Sequence, residues 1–351
     1  MSGRLSLVPA FLVVALGVAL ALHMSPSGAG STVNPAPAST VGAVDGVAIT
    51  VADIDRSVAF YSTVLFFEKV SDVQTSGPSI DRLLGAAGAR VRVVTMRLGA
   101  EKIELIEYLG QNGRAMPADT RRDDRALESL AIVVNDMDQA YLWLRRHHVE
   151  QTSPEPQRLP DWNPNAGGTR AFFFKDPDGH ALEILQFPVG KGDARWQRPS
   201  ERVFLGIDHT AIVVGDTEKS LKWYRDTLGL RIAGGSESSG PEQERLSSVP
   251  GAPLRITTLR AAEGPAIELV EYLAPRDGRP YPRDTMGDDH LVRWHTLLAT
   301  TDADAAAIKL AAVSGMSDRA AIISISDATA SFRRGIALHD PDGHALQLRA
   351  R

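Results

Sequence analysis

Cysteine is absent from this 351-residue chain, and that absence removes several chemistries at once. No disulfide framework, thiolate metal site, cysteine nucleophile or lipid-bearing cysteine anchor can be built. Nor is charge of one sign in excess. There are 38 Lys and Arg against 43 Asp and Glu, a net of −5. No basic patch dominates, which argues against a nucleic-acid partner. Long apolar runs are scarce, the exception being Leu5 to Leu22 behind Arg4, followed by Ser25-Pro26-Ser27-Gly28-Ala29-Gly30. A charged start, apolar middle and small-residue end over residues 1–29 describe an export signal, cut before Gly30; an uncleaved membrane anchor is the rival reading. Either places the folded part outside the cytoplasm, periplasmic or extracellular. Residues 30–41, rich in Ser, Thr, Pro and Ala, then read as a linker.

What the chain does have is repetition. Asp176-Pro177-Asp178-Gly179-His180-Ala181-Leu182-Glu183-Ile184 returns about 164 residues later as Asp340-Pro341-Asp342-Gly343-His344-Ala345-Leu346-Gln347-Leu348. Each copy reads as a tight turn feeding a strand: Pro presets φ, Asp closes the turn, and Gly supplies a positive φ. Asp53 to Tyr61 matches Asp216 to Tyr224, and Ile103 to Leu109 matches Ile267 to Leu273. So long a period means two similar domains, 42–190 and 204–351, joined by a linker over 191–203. The composition, 43% hydrophobic, suffices for two cores.

Local patterning predicts a recurring order. Val44 to Val51 reads as a strand, Asp53 as the cap of a helix, and Val91 to Arg97 and Lys102 to Leu109 as further strands, with a short one near Lys69 to Val73. Leu130 to Val134 restarts the pattern, a helix spans Met137 to His147, and strands at Ala171 to Phe174 and Ala181 to Gln186 close it. The second domain repeats the sequence of elements: strands at Ile207 to Val214, Leu254 to Leu259, Ala266 to Tyr272, Trp294 to Thr300 and from Gly335 on, and helices at Thr217 to Leu228 and Asp304 to Val313.

Two βαβββ halves per domain, each half opening with strand, Asp, helix and the second closing on Asp-Pro-Asp-Gly-His, resemble the vicinal oxygen chelate superfamily. That group holds glyoxalases, bleomycin-resistance proteins and extradiol dioxygenases. The resemblance implies an α+β fold in which paired modules curl a mixed sheet into a cup with helices outside. It also implies a divalent metal, Fe, Mn, Ni or Zn, held by inward-facing strand residues. Carried over position by position, the second domain offers His209, Glu268, His295 and Gln347 as metal ligands, with Glu268 and Gln347 also as catalytic candidates. The first offers Gly46, Glu104, Ser129 and Glu183. Gly and Ser make a poor ligand set, so the resemblance leaves that domain metal-free, with Glu183 a candidate general base. A site mixing Glu183 with His209 and Glu268 across the domains is a further alternative. Gln347 departs from the family's usual acid at the last position.

Two functions follow as expectations. One is a metal-dependent enzyme, a glyoxalase-like lyase or isomerase or a ring-cleaving dioxygenase, acting on a small oxygenated molecule from the second domain. The alternative is a metal-free protein that sequesters a small molecule, as monomer or homodimer, touching membrane only through its N-terminus if that is uncleaved. Strand parity makes His180 and His344 turn or surface residues, and puts Glu107 and Glu271 opposite Glu104 and Glu268. The loops Gln157 to Gly168 and Arg276 to Asp284 suit either a ligand rim or a domain contact.

Overall fold

Four aspartates start four helices in the same way. Asp53, Asp136, Asp216 and Asp302 sit in extended conformation at the N-cap, and each side chain accepts a hydrogen bond from the backbone N–H three residues on, at 2.9–3.0 Å. A strand precedes each cap, so four equivalent modules follow one another along the chain. The computed structural model describes residues 40–111, 114–282, 291–313, 321–325 and 331–351. The expected signal and most of the first linker lie outside the described residues, as do Arg283, Asp284 and His290.

The first module runs β1 (Ala43–Thr50), α1 (Ile54–Thr63), β2 (Glu68–Ser76), α2 (Pro78–Leu84), β3 (Arg90–Leu98) and β4 (Glu101–Tyr108). The second has β5 (Glu128–Val134), α3 (Met137–Arg146), the two-residue strands β6 (Glu150–Gln151) and β7 (Gln157–Arg158), then β8 (Arg170–Lys175) and β9 (Ala181–Gln186). The third has β10 (Phe204–Val213), α4 (Thr217–Leu221) widening into a π-helical turn over Lys222–Thr227, β11 (Arg231–Ser238), α5 (Pro241–Ser247), β12 (Leu254–Arg260) and β13 (Ala266–Tyr272). The fourth has β14 (Trp294–Thr300), α6 (Ala303–Ala311), β15 (Ile323–Ser324), β16 (Arg334–His339) and β17 (Ala345–Ala350). The predicted strands and capped helices are present with boundaries shifted by a few residues. Pattern reading passed over β11, which is Gly- and Ser-rich and mostly exposed, and the seven-residue helices α2 and α5, each opening on Gly-Pro.

The fold is α+β with two curled sheets, and each sheet draws on both halves of the chain. One has the order β15-β16-β17-β14-β1-β4-β3-β2, joining the first module to the fourth. The other has the order β11-β12-β13-β10-β5-β9-β8-β6, joining the third to the second. The seams are antiparallel pairs of opening strands, β1 with β14 and β10 with β5. Thus the two tandem regions do not each close a cup of their own; the cups form between them. Equivalent opening strands carry equivalent patterns, so alternation alone does not choose among partners.

Helices and turns tie the modules in the other direction. Asp176 Oδ1 accepts from the backbone N–H of Asp178 and of His180, both at 2.9 Å, and Oδ2 meets His180 Nδ1 at 2.8 Å and the Tyr61 hydroxyl of α1 at 3.3 Å. Asp178 takes Arg56, Ser57 and the N–H of Ala52, fixing the start of α1. The second copy repeats the joint: Asp340 binds His344 Nδ1 at 2.8 Å and the Tyr224 hydroxyl at 3.1 Å, and Asp342 accepts from the Gly215 N–H. The outer ring nitrogen then reaches the lead-in to a third module, His180 to the Leu291 carbonyl and His344 to that of Arg125. Both histidines are therefore buried joints, correcting their placement as turn or surface residues. Each precedes its strand, where strand parity does not yet apply.

Burial by itself pulls the His344 imidazole down, but Asp340 beside it prevails and raises it to about 9. Because the folded value is raised, this group's stabilisation is complete below about pH 6.5 and lost as pH climbs through about 9. His344→Ala should cost about 3–5 kcal/mol in urea unfolding at pH 7, since it strands Asp340 in the core. The difference from wild type should shrink toward pH 10, and a difference independent of pH would contradict the pairing.

Candidate functional site

The sheet of the second and third modules encloses a cavity of about 1060 Å³. Its floor is built from three strands. His209 on β10, Glu268 on β13 and Glu183 on β9 all line it, with His209 Nε2 3.3 Å from Glu268 Oε2 and 3.8 Å from Glu183 Oε2. Register explains the convergence. Glu268 pairs with Ala211 and Glu183 with Ala131, two strands that are themselves neighbours across the seam, so the carboxylates approach from opposite modules. Ser129, the position matching His295 in the first domain, is buried on β5 of this sheet. Thus the alternative mixing Glu183 with His209 and Glu268 is the grouping that the fold assembles.

His295 and Gln347 are elsewhere. They lie on β14 and β17 of the other sheet, together with Glu104 and Gly46, so the four ligand candidates of the second domain do not share one hollow. The physical reason is the exchange of modules between halves. In this second cup Arg349 binds Glu104 with both terminal nitrogens, at 2.6 and 2.8 Å, while its Nε and Nη2 donate to Gln347 Oε1 at 3.1 and 2.8 Å. Its guanidinium also lies 4.4 Å from the centre of the Phe332 ring. Ile80, Leu83 and Leu84 pack on the same side, and only about 80 Å³ is left. His295 is buried with Nδ1 lacking a partner among the described residues, and burial first, then nearby Arg293, His339 and Arg349, holds it well below the usual imidazole value. At Gly46 a Cβ would come 2.1 Å from the Lys102 carbonyl, so backbone crowding demands glycine there.

The open cup orients its histidine from behind. The ladder between β10 and β5 bulges between Ile207 and His209, and Asp208 meets His209 Nδ1 at 3.1 Å although successive strand residues normally face apart. Trp196, from the segment joining the tandem regions, donates its indole N–H to Asp208 Oδ1 at 2.8 Å. Thr258 donates to Glu268 Oε1 at 2.8 Å. Nε2 of His209 is thereby left facing the two glutamates.

Burial opposes a charged His209, but Glu268, then Asp208 and Glu183, outweigh it and raise the imidazole to about 9. Glu183 is pushed up to about 7, chiefly by burial and despite His209 and Arg122. Arg122, which sequence reading missed within the mixed-charge run Arg121-Arg122-Asp123-Asp124-Arg125, also lines the cavity, 3.7 Å over the Phe173 ring. Asn165 and Ala166 bring the Gln157–Gly168 loop to the rim, where Asn163 Nδ2 donates to the Glu237 carbonyl and to Ser238. The Arg276–Asp284 loop instead makes a contact between the halves: Arg279 pairs with Asp119 and Asp124. Glu271 accepts from the Thr217 N–H and Arg276, away from the floor.

A carboxyl raised by burial stabilises the fold only while protonated, so Glu183 costs stability increasingly as pH rises from about 4.5 to about 7. Glu183→Gln should therefore be more stable than wild type at pH 8, by up to about 3 kcal/mol, with the gain vanishing near pH 4. Chemical denaturation at the two pH values checks this, and a destabilised variant at pH 8 would refute it.

The model for the Glyoxalase/Bleomycin resistance protein/Dioxygenase superfamily matches residues 43–184 and again 206–348. A 2-epi-5-epi-valiolone epimerase from Actinomyces sp is 33% identical over 152 residues, 42% of this chain and 81% of that protein. Among solved structures, glyoxalase I from Zea mays superposes with a TM-score of 0.55 at 15% identity, covering 88% of this chain and 92% of that one. A putative dioxygenase from Bacillus subtilis subsp. subtilis str. 168 gives 0.52 at 15% identity, over 89% and 86%. These two likenesses concern the fold. With both tandem regions matched, the chain belongs to the glyoxalase/bleomycin resistance/dioxygenase superfamily, the vicinal oxygen chelate group.

Proposed function

We propose that this protein is an isomerase- or lyase-type enzyme that moves a proton at a carbon beside a carbonyl in a small oxygenated molecule. The carrying observation is the pair of carboxylates from opposite modules, Glu183 and Glu268, set on either side of His209 in a cavity large enough for such a substrate. The relative named an epimerase favours the same class. Epimerisation at such a carbon needs a base to take the proton and an acid to return it.

Glu183 has the properties of that base. Its carboxyl, raised to about 7, is poised near neutral pH and still basic enough to accept a proton from a carbon acid. The protonated His209, held to about 9 and aimed by Asp208, then stabilises oxygen-centred negative charge as it develops. Glu268, steadied by Thr258, keeps His209 charged. The buried floor keeps bulk water off the proton-transfer groups.

Superfamily members typically use a divalent metal. An imidazole and two carboxylates are suitable donors, and an anionic floor that raises His209 so far would attract a cation. The three groups nonetheless stand as an ion cluster, and no group of three or more His, Asp or Glu among the described residues is arranged to hold a metal as it stands. His209, Glu268 and Glu183 are the residues that would hold it, the ion taking the place of the His209 proton, and it would then supply Lewis-acid stabilisation of substrate oxygens in the imidazolium's stead. Elemental analysis of purified protein should find about one divalent ion per chain, greatly reduced in His209→Ala. Equal content in the two proteins would remove the ion from this site.

The reaction itself is tested by proton NMR in D₂O with 2-epi-5-epi-valiolone and related hydroxyketones. Wild type should exchange the hydrogen beside the carbonyl, with kcat/KM rising through about pH 7 and falling near pH 9. Glu183→Gln should lose at least about 100-fold. Binding without exchange would favour the sequestering protein instead. Export, supported by the apolar N-terminal run, is part of this proposal, and fractionation of the full-length protein addresses it.

A further inference from the structure

We propose that the cavity of the second and third modules takes a substrate carrying an oxyanion group, carboxylate or phosphate, bound on the guanidinium of Arg122. This deepens the preceding reading and rests on it for the identity of the substrate cavity.

Arg122 differs from the charges around it. Two of its neighbours in the lead-in to β5 are spent on holding the two halves together: Arg121 pairs with Asp277, and Asp124 with Arg279. Arg122 alone turns inward, its guanidinium 3.7 Å over the face of Phe173, with Glu183 and Tyr272 as the groups acting on its charge. The Tyr272 hydroxyl oxygen accepts one hydrogen bond from it. Yet Nε and Nη1 are buried with no partner among the described residues. Such orphaned donors are costly, and more so on a charged group. A stacked guanidinium with free N–H groups in a cavity is how proteins commonly receive carboxylate or phosphate.

The protein does not supply that anion itself. Glu183 is the carboxyl acting on Arg122, but its Oε2 faces His209 Nε2 on the floor, 3.8 Å away. An external oxyanion would complete the pairing that the fold leaves open. The floor, by contrast, is acidic around His209. A substrate anchored at Arg122 by its anionic end would thus keep that charge off the floor and present its oxygenated carbon to His209 and Glu183.

The probes are inorganic phosphate and malonate, with malonamide as the neutral counterpart of malonate. Each is titrated calorimetrically into the full chain, before and after chelator treatment, so that binding through a metal is recognised. At least one oxyanion should saturate a single site in both preparations, malonamide should not bind, and which anion binds separates phosphate from carboxylate. Arg122→Met should weaken that affinity at least about tenfold and Arg122→Lys less, because an ammonium keeps the charge without the planar donors. Thermal unfolding verifies that each variant is folded, and the anion should raise the melting temperature of wild type but not of Arg122→Met. Failure of both anions to bind wild type, or undiminished binding by folded variants at position 122, would overturn the proposal. The D₂O exchange of neutral hydroxyketones reports on the floor without Arg122, so the failure of either reading is visible separately.

Discussion

The architecture depends on a buried aspartate–histidine pair, made twice. In each Asp-Pro-Asp-Gly-His turn the first Asp is saturated by backbone N–H groups (two on Asp176, three on Asp340), its own turn's imidazole and a tyrosine from a preceding helix. Two opposite charges buried together are tolerable only when every remaining donor and acceptor is engaged. Here they are, through Leu291 and Arg125, whose carbonyls open the first strands of other modules. One side-chain pair therefore fixes a turn, a helix and the entry to a strand in three different modules. Sheets bind first to fourth and second to third, while turns bind first to second and third to fourth. The ring of four is closed by both.

That closure decides what the cups contain. With modules exchanged between halves, each cup receives one ligand-position pair from each half. One receives Glu183 with His209 and Glu268; the other receives Glu104 with His295 and Gln347. The same four positions of one fold have diverged into an open acidic floor and a closed, ion-paired plug. Arg349 makes the difference in the second cup, since its guanidinium pairs with Glu104 and donates to the Gln347 side-chain oxygen, covering what is left of the hollow.

Much of this was legible in the sequence. The four capping aspartates, the strand alternation and the repeated turn all rest on local chemistry, and local chemistry can be read from a single chain. Glu183, His209 and Glu268 were recognisable individually for the same reason. What sequence could not supply was partner choice, because β1, β5, β10 and β14 present nearly the same face to a potential neighbour. His295 and Gln347 were grouped with His209 on that account. Arg122 was hidden differently: within Arg121-Arg122-Asp123-Asp124 it looks like any solvated charge, and only the fold reveals that Arg121 and Asp124 pair across the halves while its own Nε and Nη1 have no partner among the described residues.

The open cup is also where the fold works against itself. A carboxyl pushed up by burial and a guanidinium with orphaned donors are each unfavourable for stability. A structure chosen only for stability would have closed this hollow, as Arg349 and its apolar neighbours close the other. Such local conflicts persist only where surrounding elements over-determine the arrangement. The surroundings here do so: the bulge that turns Asp208 toward His209, the Trp196 indole behind it and the Asp–His joints that anchor both flanking modules. Two cups of common ancestry thus differ in chemistry, and the one whose guanidinium is left open is the one with room for a substrate.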